Sequence, residues 1–327
     1  MINICIFEDD GYKNLFPLTY YRPVYNLLVG IDTLFDKVYR YFDYANLTLH
    51  CRPYLKPALK TRYPNININN INEGAPCLLL NGRVVMTDKL FNIFSENASQ
   101  YDLLFTNRGH IVALYLRGKN LEYMNKALQK EVSSKEIIKF LRPKCVAKEL
   151  DDVSMIENLW DFYELNSFLI NEDFKYKKQP GIIKGDIHPF TAMYNENNVF
   201  VGKGARIEDF VTLNAKSGAI YIDEGAIIHS GTRIEGPVFI GKDTQVFGGN
   251  IKASSISNNC KVSGEVSHSI ISAYSNKAHL GFVGHSYIGE WVNLGANTTI
   301  SNLKNTYGNI QIEPNNQVVD SGQQFLG

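Results

Sequence analysis

No two cysteines in this chain stand at the two-residue spacing of a redox or zinc motif. The five, Cys5, Cys51, Cys77, Cys145 and Cys260, are scattered and odd in number. This argues against a disulfide framework and against a cysteine-built zinc site, and for a reducing compartment. Net charge is missing as well. Lys+Arg and Asp+Glu are 33 each, so no global field favours nucleic acid or an anionic membrane. No apolar run approaches the roughly eighteen residues that a spanning helix needs. The opening MINICIFEDD has no basic segment, and its apolar run is short for a signal peptide. The expectation is a cytoplasmic protein with neither nucleic acid nor membrane as partner. Its 327 residues exceed the usual size of a single core, which predicts two domains.

What the chain does have is a period of six. Aliphatics stand at Val201, Ile207 and Leu213, then at Ile222, Ile228, Ile234, Ile240 and Val246. Four residues after each of the first seven comes a small or β-branched one: Ala205, Val211, Ser217, Ala226, Thr232, Val238 and Thr244. Helices repeat near 3.6 and strands near 2, so neither explains the spacing. A parallel β-helix does, with short strands separated by corners and each coil stacked on the last. A sandwich with coincidental spacing is the alternative. The pattern breaks near Gly218 and again after Gly248, and recovers at Ile288, Val292, Leu294, Thr298 and Ile300. Such breaks mark loops on one face of a solenoid, commonly a binding face.

The first half alternates differently. Ile2–Phe7 reads as a buried strand ending in Glu8-Asp9-Asp10-Gly11, and residues 31–42 read as a helix. Leu47–Cys51, Cys77–Leu80, Tyr101–Phe105 and Ile111–Leu116 are further strands, with 65–72 a half-buried one. Asn120–Gln129 and Lys135–Phe140 read as helices. This predicts a three-layer α/β unit with a mostly parallel sheet, whose ligands sit at the carboxyl ends of the strands. The places to look are Glu8–Arg22 and Asn81–Arg83. Glu157–Phe174, rich in aromatics, reads as an amphipathic helix bridging two domains, 1–175 and 176–327.

Pro17-Leu18-Thr19 followed by Arg22-Pro23 resembles the start of sugar-1-phosphate nucleotidyltransferases. The whole layout is similar to the bifunctional N-acetylglucosamine-1-phosphate uridylyltransferase/glucosamine-1-phosphate acetyltransferase family, in a short, divergent branch. The resemblance implies an α/β nucleotidyltransferase-like (Rossmann-like) domain followed by a left-handed parallel β-helix of hexapeptide repeats. That family opens with a glycine-rich phosphate loop, where this chain has Gly11 beside Asp9 and Asp10. Those two acids would repel phosphate unless a divalent cation such as Mg2+ intervened. The family's metal-binding Gly-Asp corresponds to Gly82-Arg83 here. Thr19, Arg22, Asn81 and Arg83 remain candidates for a sugar phosphate or nucleotide, because arginine forks suit phosphate.

Lys277-Ala278-His279-Leu280-Gly281 through Asn302-Leu303-Lys304 resembles the acetyltransferase signature of the same family without a gap. On that match His279 takes the place of the general base, and Asn293 and Asn302 those of acceptor-binding amides. His285 and Lys304 flank the acceptor, and Gly295 and Ala296 lie along the arm of acyl-CoA, the implied co-substrate. His285 stands where the family has Asp, and Phe282 where it has Tyr. His268, His279 and His285, with Glu265 or Glu290, offer a metal cluster as the alternative. The family's β-helices trimerise, which implies a homotrimer. The apolar Phe325-Leu326-Gly327 predicts either that 305–327 folds over the last coil or that the acyl-CoA site is shortened.

Three functions follow as expectations. The first is a sugar-nucleotide pathway transferase that moves an acyl group from acyl-CoA to an amino sugar or its phosphate, beside a degenerate nucleotidyltransferase-like domain. The second is an active sugar-1-phosphate nucleotidyltransferase. The third is a non-catalytic binding or scaffold protein.

Overall fold

A computed structural model describes residues 3–43, 45–98, 100–313 and 318–327. Ile2, the first residue of the expected opening strand, lies outside them. The chain divides into two compact units. One comprises 1–27 and 33–157, the other 28–32 and 158–327.

The first unit is built on a seven-stranded sheet. Its order is Asn67–Ile68, Asn46–Leu49, Asn3–Phe7, Cys77–Asn81, His110–Leu116, Leu103–Asn107, Val146–Glu149. His110–Leu116 is antiparallel to both neighbours, and all other pairings are parallel. Ile4, Cys5, Ile6 and Phe7 are all fully buried, so both sheet faces are covered and the strand reads as a continuous apolar run. On one face Cys5, Phe7, Leu79 and Leu114 pack against Leu121, Met124, Leu128, Ile137 and Leu141. These last come from the helices Gly118–Gln129 and Ser134–Leu141. Ser133 caps the second of these, its hydroxyl accepting from the Glu136 N–H.

In the second unit short strands stack in parallel. Three columns of inward residues result. Ile187, Ile207, Ile228, Val246 and Val262 are partners in turn. So are Met193, Leu213, Ile234, Ile251, Val266 and Val283. Val201, Ile222, Ile240, Ile256, Ile271 and Ile288 form the third. Every aliphatic of the six-residue period from Val201 to Val246 therefore falls in a column, and residues six apart belong to successive columns. Of the positions where the repeat was expected to recover, Ile288 joins a column and Val292, Leu294 and Ile300 lie outside the strands. The stacking is compatible with a parallel β-helix. Burial of each such side chain contributes about 1.5–3 kcal/mol. Ser217, at the first break of the repeat, is exposed.

The column beside the third faces outward as Phe200, Tyr221 and Phe239, and the helix Asp161–Lys177 covers it with Ile170 and Phe174. The expected boundary at 175/176 falls inside this helix, which clusters with the second unit. Polar groups explain why 28–32 joins it. Asn166 Oδ1 accepts from the Gly30 N–H at 2.8 Å, and Asp173 Oδ2 from the Ile31 N–H at 2.9 Å. Ser255 Oγ donates to the Gly30 carbonyl at 2.6 Å. Residues 325–327 pack back on 285 and 302–303. Leu303 bridges Phe325, and the Leu326 and Gly327 N–H groups donate to the Asn302 and His285 carbonyls. No helix among the described residues is long and apolar enough to cross a membrane.

Candidate functional site

In the first unit a cavity of about 230 Å3 lies at the carboxyl ends of the strands Asn3–Phe7 and Asn46–Leu49. Glu8, Asp9 and Asp10 line one side and His50, Cys51 and Arg52 the other, with Leu128, Glu131, Val132 and Ile137 opposite. The first strand ends because Asp9 takes over as cap of the short turn Asp10–Leu15, its carboxylate accepting from the Gly11 N–H at 3.2 Å. Gly11 is required by proximity: a Cβ there would lie 2.5 Å from Arg83 Cζ.

Two buried ion pairs shape the charge of this cavity. Arg83 donates from Nε to Asp9 Oδ1 at 2.7 Å and from Nη2 to Oδ2 at 2.6 Å. Asn81 adds a third donor to Oδ2 at 2.8 Å. Burial pushes the Asp9 carboxyl up, but Arg83 and these bonds outweigh it and hold the group below the usual carboxylate range. Arg52 likewise grips Glu8, Nε to Oε2 at 2.9 Å and Nη2 to Oε1 at 3.2 Å. Here burial wins: Glu8 is pushed up to about 7, Arg52 and the Val24 N–H only partly offsetting it. His50, also buried, is pushed down to about 4, and its Nδ1 has no hydrogen-bond partner. Burial pushes the neighbouring Cys51 thiol up to about 12, which leaves it unreactive as a nucleophile.

The structure brings Asp9, Asn81 and Arg83 together, and Asp9 and Asp10 line the cavity. Thr19, Arg22, Asn81 and Arg83 do not line it. The Thr19 hydroxyl donates to the Tyr12 carbonyl at 2.9 Å, and the carbonyls of Thr19 and Arg22 accept from Arg52. Asp10 Oδ1 accepts from the Ser134 hydroxyl at 2.6 Å and its N–H at 3.1 Å. For Mg2+ the donor set fits poorly, because the guanidinium of Arg83 already supplies the positive charge that Asp9 needs. Among the described residues no group of three or more His, Cys, Asp or Glu could hold a metal ion. Two unit charges 4 Å apart at an effective dielectric of 20 interact by about 4 kcal/mol. A phosphate beside Asp10 and Glu131 would meet that repulsion with both nearby arginines already committed.

In the second unit His279 is exposed, and its carbonyl accepts from Lys277 Nζ at 3.0 Å. Lys277 is itself 2% exposed and extends the first aliphatic column as the partner of Val262. Its Nζ also donates to the Ser263 carbonyl at 2.7 Å, and burial lowers its pKa. His285 has a different setting. Its Nδ1 accepts from Asn302 Nδ2 at 2.8 Å, and its ring lies between His268 (4.8 Å, 5°) and Phe325 (5.2 Å, 23°). Burial first, then His268, pushes His285 down to about 4. The two imidazoles stack face to face, which does not aim ring nitrogens at a common ion. Asn293, Gly295 and Ala296 are exposed; Lys304 donates from Nζ to the Asn309 carbonyl at 2.6 Å. Among the described residues no hydrogen bond joins the His279 ring to Asn293 or Asn302. The structure therefore pairs Asn302 with His285.

Sequence reasoning pointed to the stretch beginning at Glu8 but missed His50, Arg52 and the helical side of the cavity. Arg52-Pro53 after a strand is the one local signal that pointed there. Lys277 carried a signal too, because it stands six residues after Ile271 where an aliphatic was due.

The family model described as sugar nucleotidyl transferase matches residues 4–179. A bifunctional sugar-1-phosphate nucleotidylyltransferase/acetyltransferase of Sulfurisphaera tokodaii is 37% identical over 138 residues. That match covers 40% of this chain and 33% of the relative, so it spans about a third of the relative's length. Among solved structures, a protein assigned as a glucose-1-phosphate thymidylyltransferase from Bacillus anthracis, in complex with a sucrose, has a TM-score of 0.38 at 8% identity. It covers 52% of this chain and 96% of that one. A variant of AntD, an N-acyltransferase from Bacillus cereus in complex with dTDP and coenzyme A, has a TM-score of 0.22 at 14% identity, covering 39% and 89%.

Proposed function

The chain belongs to the sugar nucleotidyl transferase family, and from that premise we propose that it is a transferase of sugar-nucleotide metabolism. Its second unit transfers an acyl group from acyl-CoA to an amino sugar, and its first unit keeps the family's α/β fold with altered phosphate chemistry. The second unit is taken as a left-handed parallel β-helix of hexapeptide repeats; the three aliphatic columns support this. The observation that carries the reading is His279, an exposed imidazole in the bend between the strands Asn276–Lys277 and Phe282–Gly284, within the segment that resembles an acetyltransferase signature. The curated relative's name pairs the same two activities.

In the proposed step His279 accepts a proton from the acceptor amine as the nitrogen attacks the thioester carbonyl. A C–N bond forms, the C–S bond breaks, and coenzyme A leaves as the thiol. Asn293 holds the acceptor's hydroxyls. Asn302, His285 and Lys304 form its far wall, and the exposed Gly295 and Ala296 run beside the acyl-CoA arm. A trimer completes the groove between neighbouring copies in this reading, and a cytoplasmic setting suits its five free thiols. Thiol release from acetyl-CoA with amino-sugar acceptors tests it. Release that depends on acceptor and is lost in His279→Ala supports the reading; no release with any amino sugar or its phosphate overturns it.

A second reading, active sugar-1-phosphate nucleotidyl transfer by the first unit, is favoured by the family match over 4–179. Incubation with sugar-1-phosphates, nucleoside triphosphates and Mg2+ decides it, through the presence or absence of pyrophosphate.

A further inference from the structure

We infer that the cavity of the first unit is a binding site for a single aminated sugar ring that carries no phosphate. The inference rests on the reading that this unit's phosphate chemistry is altered, and not on acyl transfer at His279.

Size comes first. At about 230 Å3 the cavity is smaller than the roughly 300–1,000 Å3 of sites that enclose drug-sized ligands, so it suits one ring rather than a nucleoside triphosphate. Charge then selects the ring. Among the lining residues Glu8, Asp9, Asp10 and Glu131 are acidic, against Lys13 and Arg52. Arg52 is held by Glu8, and Asp9 is cancelled from behind by Arg83. With Glu8 ionised, what faces an entering ligand is Asp10 and Glu131 with Lys13, an excess of one carboxylate. Arg52 offsets that excess as Glu8 takes up its proton, so the preference for an ammonium is fullest above about pH 7. An ammonium gains from that excess, whereas a phosphate meets repulsion with no arginine fork to receive it.

The walls suit a sugar in other ways. Leu128, Val132 and Ile137 offer an apolar side to the C–H face of a ring. His50, 6% exposed and kept neutral by burial, lines the same cavity with an unpartnered Nδ1. A buried polar atom without a partner is uncommon in native structures and marks a place where a hydroxyl can be received. Glu8 adds a carboxyl that changes protonation near neutrality. The ion pairs themselves are fixed before any ligand arrives, so little reorganisation accompanies binding.

The test uses the full chain and calorimetric titration with glucosamine, N-acetylglucosamine, glucosamine-1-phosphate and UTP with Mg2+. Glucosamine should bind at least tenfold more tightly than its N-acetyl form, which lacks the ammonium, and than its 1-phosphate. Equal or tighter binding of glucosamine-1-phosphate or UTP overturns the inference, as does no binding of glucosamine. An acceptor site on the second unit would also take glucosamine, so Glu131→Gln identifies the site being read. Glu131 is exposed, and its amide analogue should fold normally. Affinity for glucosamine should fall about fivefold or more in that variant; unchanged affinity overturns the inference. Acyl turnover is read separately by thiol release, so the two ideas can fail independently.

Discussion

Arg83 and Asp9 meet in a two-point ion pair, with N···O distances of 2.7 and 2.6 Å and both side chains 2% exposed. Such a pair is a weak source of net stability but a strong liability when halved, because the remaining charge stays buried. Arg83→Met should therefore cost about 3–5 kcal/mol in urea unfolding. Adding Asp9→Leu should recover most of the loss, since removing both charges also removes their desolvation. A double variant as unstable as the single one would mean that geometry, not charge, is what the pair supplies.

Glu8 and Arg52 predict a pH effect of definite sign. Glu8 holds its proton up to about 7 in the fold, against an ordinary value of 4.5. Between those values the unfolded chain has released the proton and the folded one has not. This group's contribution therefore lowers stability as pH rises from 4.5 to 7, by a few kcal/mol in all, and is constant above. Glu8→Gln removes the titration, so the Tm difference between variant and parent should grow in the variant's favour across that window. A difference flat with pH would place the Glu8 carboxyl in the normal range.

Much of this was legible beforehand, for identifiable reasons. Val201, Ile222 and Ile240 announced their column because every coil solves the same packing problem with an aliphatic residue. The strands of the first unit were legible from apolar runs closed by turn residues, as at Cys77–Asn81. What stayed hidden depends on contacts distant in sequence. Asp9 and Arg83 are 74 residues apart, and each alone reads as a surface charge or a ligand for something else. The docking of Gly30 on Asn166, 136 residues away, moved the unit boundary for the same reason. Lys277 reads as a surface residue by type and lies inside because Gly264 leaves room. A Cβ on Gly264 would stand 2.9 Å from its Nζ.

That close approach makes Gly264 a sensitive position. Its φ is +77°, and a Cβ would also lie 2.7 Å from the Gly281 carbonyl oxygen. Gly264→Ala combines left-handed backbone strain with a backbone clash, and should cost about 2 kcal/mol or more. Thermal unfolding should show a Tm lower by several degrees. A neutral result would require the corner to shift and release Lys277, which would then become accessible to amine-reactive labelling.

His285 sets an acid limit. Its pKa of about 4 in the fold lies below the ordinary 6.5, so the unfolded state binds the proton first. Its stabilising contribution is complete above 6.5 and is lost as pH falls from there through about 4. Protonation would also end acceptance from Asn302 and set two cations face to face with His268. Discounted for partial exposure, the loss is on the order of 1–2 kcal/mol. His285→Phe keeps the stack on Phe325 and removes the charge change. The variant should lose less Tm than the parent between pH 6.5 and 4.5, and a parallel loss in both would assign the acid limit to His50 instead.

Asn302 and His279 should separate kinetically, because the structure places them in different settings. His279 is exposed and not hydrogen-bonded through its ring to either amide, as a base awaiting a substrate proton would be. Asn302 is engaged with His285, so in the acyl-transfer reading its amide bears on the site's shape rather than on proton movement. Loss of a general base typically costs about 10²–10⁴-fold in rate. In the acyl-transfer reading His279→Ala should therefore lower kcat by that order with little change in acceptor KM. Asn302→Ala should mainly raise acceptor KM, since it frees the His285 ring and loosens the wall it forms with Phe325. Steady-state kinetics over acceptor concentration distinguish the two. If Asn302→Ala lowered kcat as steeply as His279→Ala with KM unchanged, the amide would have to touch the reacting atoms, and the pairing of Asn302 with His285 would not be its working state.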